Sequence, residues 1–156
     1  MLAPEPWSAE RAAEVIDRHR ARPGPLLPLL HELQEVFGCI PDQAIRPVAE
    51  ALNLSRAEVH GVVSFYHDYR RSLPGRHVLK LCQAEACQAM GCRSLAAQAC
   101  EQLGIGMGET TADGRVTLEA VYCLGLCATA PSAMLDGAVH GRLTPGRLDL
   151  LLDGLT

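Results

Sequence analysis

The sequence predicts a mixed α/β fold, in which a bundle of four helices is followed by a unit that contains a sheet. Up to residue 66, apolar residues recur at the helical period of about 3.6 residues. Beyond residue 76 they alternate or form short runs, which is typical of strands. The intervening segment RRSLPGR (residues 70–76) contains a Pro-Gly turn. We therefore expect a helical domain at residues 1–75 and an α/β domain at residues 76–156.

Four amphipathic helices are predicted in the helical domain. The first follows Ser8, which is a favourable N-cap. The second spans residues 25–37 and the third residues 42–52. The fourth opens with Ser55-x-x-Glu58, a capping box in which each side chain bonds the other residue's free backbone N–H. Because short helices bury little apolar surface separately, these four should pack together.

The second domain shows a different pattern. Its predicted elements are, in order, a strand at residues 77–82, a helix at 92–103, a strand at 115–121, a hairpin turn at 136–137 and a helix at 144–152. Asp136-Gly137 indicates the hairpin because both residues accept a positive φ. Thr144-Pro145 is typical of a helix start. This order of elements favours a mixed sheet with helices packed on it.

Composition excludes several classes of function. The chain has 156 residues and a net charge of -4, and its basic residues are scattered, so a nucleic acid is not an expected partner. The apolar stretches fall short of the roughly 18 residues of a membrane span, and the N-terminal sequence lacks the features of a secretory signal. We expect a cytoplasmic protein without a membrane partner. Its seven cysteines, an odd number, favour metal ligands or buried thiols over disulfides.

Four of the cysteines form two close pairs at the ends of predicted strands. Cys82 and Cys87 form a C-x4-C pair, and Cys123 and Cys127 form a C-x3-C pair just past the strand at residues 115–121. If the two strands are parallel neighbours, their following loops lie at one edge of the sheet. The loops would then present four thiolates to one site.

The residues around both pairs are mostly small, as in CQAEACQAMG and CLGLCATAP. Small side chains allow backbone N–H groups to approach the sulfur atoms of a cluster. Thiolate ligands suit an iron–sulfur cluster or zinc, and four-cysteine zinc sites accept these spacings, so the residues alone leave both metals open. A redox dithiol is disfavoured, because no C-x-x-C motif occurs in the sequence.

The other three cysteines are assigned different roles. Cys100 lies on the apolar stripe of its helix, and Cys39 follows the second helix, so both are expected to be packing residues. Cys92 extends the first pair to C-x4-C-x4-C and is an alternative ligand. We expect the helix that it begins to carry it away from the first loop. The six histidines form no i, i+4 pair and are not expected to be ligands.

With its C-x4-C pair, a gap of 35 residues and its C-x3-C pair, the sequence resembles the thioredoxin-like 2Fe-2S ferredoxin family. This family includes the small subunit of respiratory complex I and of related NAD-linked enzymes. The resemblance covers almost the whole chain. The stretches LNLSRAEVHGVVSFYHDYR, KLCQAEACQAMG and VYCLGLCATAPSAM are most similar to gamma subunits of cytosolic, molybdenum-containing, NAD-dependent formate dehydrogenases. Cys92 departs from the family pattern.

The resemblance implies a thioredoxin-like second domain with one 2Fe-2S cluster, held by Cys82, Cys87, Cys123 and Cys127. It favours iron over zinc at this site. It also implies an electron-transfer subunit that performs no bond chemistry itself. Its direct partner would be a flavin- and NAD-binding subunit with FMN, in a complex with further iron–sulfur clusters and a molybdenum-containing catalytic subunit that oxidises formate. Small subunits of complex I or of an NAD-linked hydrogenase are the alternatives within the family, and a structural zinc module is the alternative outside it.

Overall fold

The computed structural model describes residues 4–155, which contain seven α-helices and a four-stranded mixed sheet. These residues form two compact units, one that ends at Leu73 and one that begins at Pro74. Within the described range, no helix combines the length and the apolar character that crossing a membrane requires.

The first unit contains four helices, as predicted. They are α1 (Ala9–His19), α2 (Leu26–Phe37), α3 (Asp42–Leu52) and α4 (Arg56–Phe65). The Ser8 hydroxyl accepts a hydrogen bond from the backbone N–H of Arg11, which caps α1. At α4 both bonds of the capping box are present, from the Ser55 N–H to the Glu58 carboxylate and from the Glu58 N–H to the Ser55 hydroxyl.

Apolar stripes of the four helices form the core of this unit. Its fully buried large side chains are Val15, Leu29, Leu30, Leu33, Ile40, Val48, Val59 and Val63. An ionic contact joins α1 to α2, because both Arg18 and His19 bind the carboxylate of Glu32. Burial alone would raise the pKa of Glu32, but the hydrogen bonds from His19 and Arg18 outweigh burial and lower it.

The second unit is a mixed sheet with helices. Its elements are β1 (His77–Cys82), α5 (Glu85–Ala89), α6 (Cys92–Leu103), β2 (Val116–Val121), β3 (Ala133–Leu135), β4 (Ala138–His140) and α7 (Pro145–Asp153). The strand order is β2-β1-β3-β4, in which β1 and β2 are parallel and the other neighbours are antiparallel. This confirms the predicted mixed α/β class.

One face of this sheet is buried against α6 and α7. Alternate residues of β1 and β2 pack with both helices in one core, whose fully buried members include Leu79, Val116, Leu118, Ala99 and Leu148. On the opposite face of the same strands, Lys80 pairs with Glu119, with 3.6 Å between Nζ and a carboxylate oxygen. In β2, the apolar residues therefore lie on the buried face of the sheet, and the polar residues that alternate with them in sequence lie on the opposite face.

The predicted hairpin is confirmed between β3 and β4. Asp136 and Gly137 have φ values of 49° and 88°, so both central residues of this two-residue turn have a positive φ. Two short elements were not predicted: α5 and one turn of 3-10 helix at Cys127–Thr129. Five and three residues are too few to show a helical repeat in the sequence.

Candidate functional site

The parallel pairing of β1 and β2 brings the two cysteine pairs to one edge of the sheet. Cys82, the last residue of β1, lies opposite Val121, the last residue of β2. Cys123 follows two residues later. Because parallel strands end on the same side, the segments that follow them emerge together. These are the first cysteine loop (residues 82–92) and the second cysteine loop (residues 122–129).

The first cysteine loop holds its thiols in the interior. Cys82 ends a central strand and Cys87 lies on α5, and each is only 2% exposed. The Cys87 sulfur lies 3.5 Å from the hydroxyl oxygen of Ser132. Ser132 in turn accepts a backbone bond from Cys82 through its carbonyl oxygen, at 3.0 Å. The two thiols are therefore held in place by β1, by α5 and by the segment before β3.

The second cysteine loop leaves its thiols exposed. Cys123 and Cys127 are both exposed, and Cys127 begins the single 3-10 turn. Cys123 has a φ of 152°, which L-residues rarely adopt, and Gly125 follows with a φ of 76°. This backbone lets the Gly125 N–H donate to the Cys123 sulfur across 3.3 Å. The loop is thus shaped by local turns rather than by burial.

Hydrogen bonds favour the thiolate form of Cys82. Burial by itself raises the pKa of Cys82, but the bonds that the sulfur receives outweigh burial and lower the pKa below its ordinary value. The donors are the backbone N–H of Ala84, the thiol of Cys87, the backbone N–H of Leu124 and the hydroxyl of Ser132. Leu124 belongs to the second cysteine loop, so both loops direct donors at one sulfur.

The four thiols interact across the two loops. The pKa of Cys127 is raised, first by the hydrogen bond and charge of Cys123, then by partial burial, and then by the charges of Cys87 and Cys82. Among residues 4–155, no three His, Cys, Asp or Glu side chains approach closely enough to hold one metal ion. The thiols instead form an inner and an outer pair.

The expectation for Cys92 was wrong in one respect. The helix that it begins does not carry it away, because Cys92 is buried in one apolar cluster with Cys82 and Cys87. The reason is that α5 and Gly91, with a φ of 87°, turn the chain back before α6 starts. Burial, then the charges of Cys87 and Cys82, raise the pKa of the Cys92 thiol, with Arg93 partly opposing them.

The remaining two cysteines lie in apolar surroundings. Cys39 is buried, and burial raises the pKa of its thiol. Cys100 is partly buried and packs against the core of the second unit. Both positions agree with the packing roles expected from the sequence.

The residues at this site fit a 2Fe-2S cluster. Thiolates are the ligands of such clusters, and donors to sulfur tune them. Here the charges of the two thiol pairs interact, and the N–H groups of Ala84, Leu124 and Gly125 donate to cysteine sulfurs. The small residues of both loops permit this approach of the backbone.

Sequence comparison identifies related proteins. The thioredoxin-like 2Fe-2S ferredoxin family profile matches residues 12–156. The NADH-quinone oxidoreductase of Pseudomonas aeruginosa has a subunit that is 40% identical over 121 residues, which are 78% of this chain and 73% of that protein. The HndA subunit of the NADP-reducing hydrogenase of Solidesulfovibrio fructosivorans is 34% identical over 151 residues, which are 97% of this chain and 88% of HndA.

Structural comparison gives a similar result. An NAD+-reducing NiFe-hydrogenase, solved in the air-oxidised state, superposes with a TM-score of 0.71 and 29% identity. The match covers 88% of this chain but only 23% of the hydrogenase chain. This protein therefore corresponds to about a quarter of that longer chain. On the extent of the profile match and the two relatives above 30% identity, the chain belongs to the thioredoxin-like 2Fe-2S ferredoxin family.

Proposed function

We propose that Cys82, Cys87, Cys123 and Cys127 hold one 2Fe-2S cluster, and that the chain is an electron-transfer subunit of an NAD-linked oxidoreductase complex. The observation that carries the proposal is the convergence of an inner and an outer thiol pair from the ends of two parallel strands. When bound, such a cluster accepts and releases single electrons. Residues 76–156 would be the cluster domain and residues 1–75 a helical domain.

The two cysteine pairs have different proposed roles, because one holds the cluster from the interior and the other lies where a redox partner can approach. Cys82 and Cys87 anchor the site from the interior, where α5 and Ser132 hold them in place. Cys123 and Cys127 lie at the surface, which is the side that a redox partner can approach. The N–H groups of the loops stabilise negative charge on sulfur. No residue of the site is required to make or break a bond in a substrate.

We also propose the kind of complex to which this chain belongs. The relatives named above are subunits of an NADH-quinone oxidoreductase and of an NADP-reducing hydrogenase. A flavin- and NAD-binding subunit with FMN is the direct partner that we propose, within a cytoplasmic complex that contains further iron–sulfur clusters. The motif resemblance adds a formate dehydrogenase with a molybdenum-containing catalytic subunit as a candidate parent. The two relatives support a complex I or hydrogenase parent at least as well.

Metal content and colour test the cluster assignment. We expect the 156-residue chain, purified without oxygen, to be coloured and to contain iron and acid-labile sulfide in equal amounts. A colourless chain that contains zinc would contradict the proposal and would favour a structural zinc module.

Chains that co-purify with a tagged copy in its native host test the parent complex. A molybdenum-containing subunit would identify a formate dehydrogenase. Membrane subunits or a NiFe subunit would instead identify complex I or a hydrogenase, and would contradict the formate dehydrogenase assignment.

A further inference from the structure

Gln83 follows the ligand position Cys82 directly, and its backbone is held on both sides. Its N–H donates to the carbonyl oxygen of Val121 at 2.8 Å, which continues the β1–β2 ladder by one step. Its carbonyl oxygen accepts from Nε2 of Gln88 at 2.7 Å. These two hydrogen bonds therefore fix the backbone that carries the Gln83 side chain.

The side-chain amide of Gln83 is only half satisfied. Its oxygen lies 3.6 Å from the sulfur of Cys92, which donates its S–H. Its nitrogen, Nε2, is buried, and no acceptor for it exists in the part of the chain that the structure describes. Leaving a buried N–H donor without an acceptor is unfavourable, so such a group indicates a missing partner.

The location of this amide suggests what the missing partner is. Cys92, which contacts the amide oxygen, is 3% exposed and packs in the same buried cluster as Cys82 and Cys87. The unsatisfied nitrogen is bonded to the same carbon as that oxygen. It therefore lies on the buried side of the cysteine site, where a bound cluster brings sulfur acceptors.

We infer that the Nε2–H of Gln83 donates a hydrogen bond to a sulfur of the bound cluster, and that Cys92 is a positioning residue that orients the amide. This inference rests on the proposed function. In this arrangement the Cys92 S–H donates to the amide oxygen, so the amide nitrogen is the end that remains to donate. Cys92 thus has a role without being a ligand.

The inferred hydrogen bond has an electrochemical consequence. Reduction adds negative charge to the cluster, and a donor to sulfur stabilises that charge. The bond from Gln83 therefore raises the reduction potential. Removing the donor lowers the potential, and so does releasing the amide from Cys92.

The first test is the reduction potential of the full chain with Gln83→Leu, measured by spectroelectrochemical titration. We expect the potential to fall while iron and sulfide content are retained. Gln98→Leu is the matched control, since Gln98 lies on α6 and its Nε2 donates to Asp149 of α7 rather than to a residue of either cysteine loop. Its potential should equal that of the unmodified chain. An unchanged potential in Gln83→Leu would overturn the inference.

The second test compares two variants of Cys92 and does not depend on the Gln83 variant. Cys92→Ser keeps a donor to the amide oxygen, so its potential should stay close to that of the unmodified chain. Cys92→Ala removes the donor and should shift the potential in the same direction as Gln83→Leu. Equal potentials in both variants, or loss of the cluster in both, would overturn the positioning role.

Vibrational spectra separate failure of this inference from failure of the proposed function. Iron–sulfur stretching bands in resonance Raman spectra should shift in D₂O by less in Gln83→Leu than in the unmodified chain, because one exchangeable donor has been lost. Equal shifts in the two proteins would contradict the inference while leaving the cluster assignment intact. A colourless chain that contains zinc would contradict the proposed function itself.

Discussion

The two cysteine loops reach one site by different physical means. The first cysteine loop contains the helix α5, and its thiols Cys82 and Cys87 are both buried. The second contains a strained Cys123, a positive-φ Gly125 and a single 3-10 turn, and both of its thiols are exposed. Packing thus preforms one half of the site. The other half depends on local turns and, in the proposed function, on the cluster that it helps to hold.

Substitution of a proposed ligand should have the largest effect of the changes considered. It should remove the cluster whether the substituted cysteine lies in the first or the second cysteine loop. We expect Cys87→Ser and Cys123→Ser to lose the visible absorbance and the iron of a 2Fe-2S cluster, because each removes a proposed ligand. Cys100→Ser and Cys39→Ser are matched controls at packing positions. They should retain the cluster. A full cluster in Cys123→Ser would show that a different set of cysteines binds it.

Removal of the cluster should affect the two loops unequally. After chelation of iron, amide hydrogen exchange in residues 122–129 should accelerate by about tenfold or more, because the loop has little burial to protect it. Residues 82–92 should change much less, since α5 and the buried thiols remain packed. Mass spectrometry of the exchanged peptides measures both loops in one experiment. Equal acceleration would contradict the view that one loop is preformed.

Replacing one cysteine of each loop by alanine should lower the free energy of unfolding by different amounts. In the cluster-free chain, Cys87→Ala should lower the free energy of unfolding by about 1 kcal/mol, because it removes a buried sulfur. Cys127→Ala should change it by less than about 0.5 kcal/mol, since that thiol is exposed. Urea unfolding of both variants provides the comparison. A larger loss for Cys127→Ala would reverse the assignment of inner and outer pairs.

Two glycines at positive φ provide the finest comparison. Gly91 (φ 87°) precedes α6, and Gly125 (φ 76°) lies in the second cysteine loop. Gly91→Ala should cost about 1 kcal/mol of stability, because that turn is part of the packed framework. Gly125→Ala should cost less in the cluster-free chain and should speed cluster loss instead. Thermal unfolding and the rate of bleaching by a chelator measure the two effects. Equal losses of thermal stability and equal bleaching rates in the two variants would contradict the proposed difference between the packed turn at Gly91 and the second cysteine loop.

Much of the framework followed from local signals in the sequence. Capping residues such as Ser8 and the Ser55–Glu58 box marked helix starts, and Asp136-Gly137 marked the hairpin. Alternation in β2 identified its buried face. These signals act over a few residues, which is why they can be recognised without knowledge of the tertiary structure.

The details of the site depended on longer-range geometry. The sequence placed both cysteine pairs at strand ends, but α5 was too short to predict, and the turn at Gly91 that returns Cys92 to the site gave no clear signal. The unsatisfied amide of Gln83 likewise depends on packing among residues from several elements. Such features require the positions of neighbouring chain segments, which local patterns do not provide.

Electron counting on the purified 156-residue chain tests whether the four cysteines hold a 2Fe-2S cluster. We expect titration with a reductant to add one electron per chain and to produce an electron paramagnetic resonance signal of a single unpaired electron, with equal iron and sulfide present. A chain that takes up no electrons and gives no such signal, with zinc in place of iron, would contradict the assignment of Cys82, Cys87, Cys123 and Cys127 as ligands of a 2Fe-2S cluster.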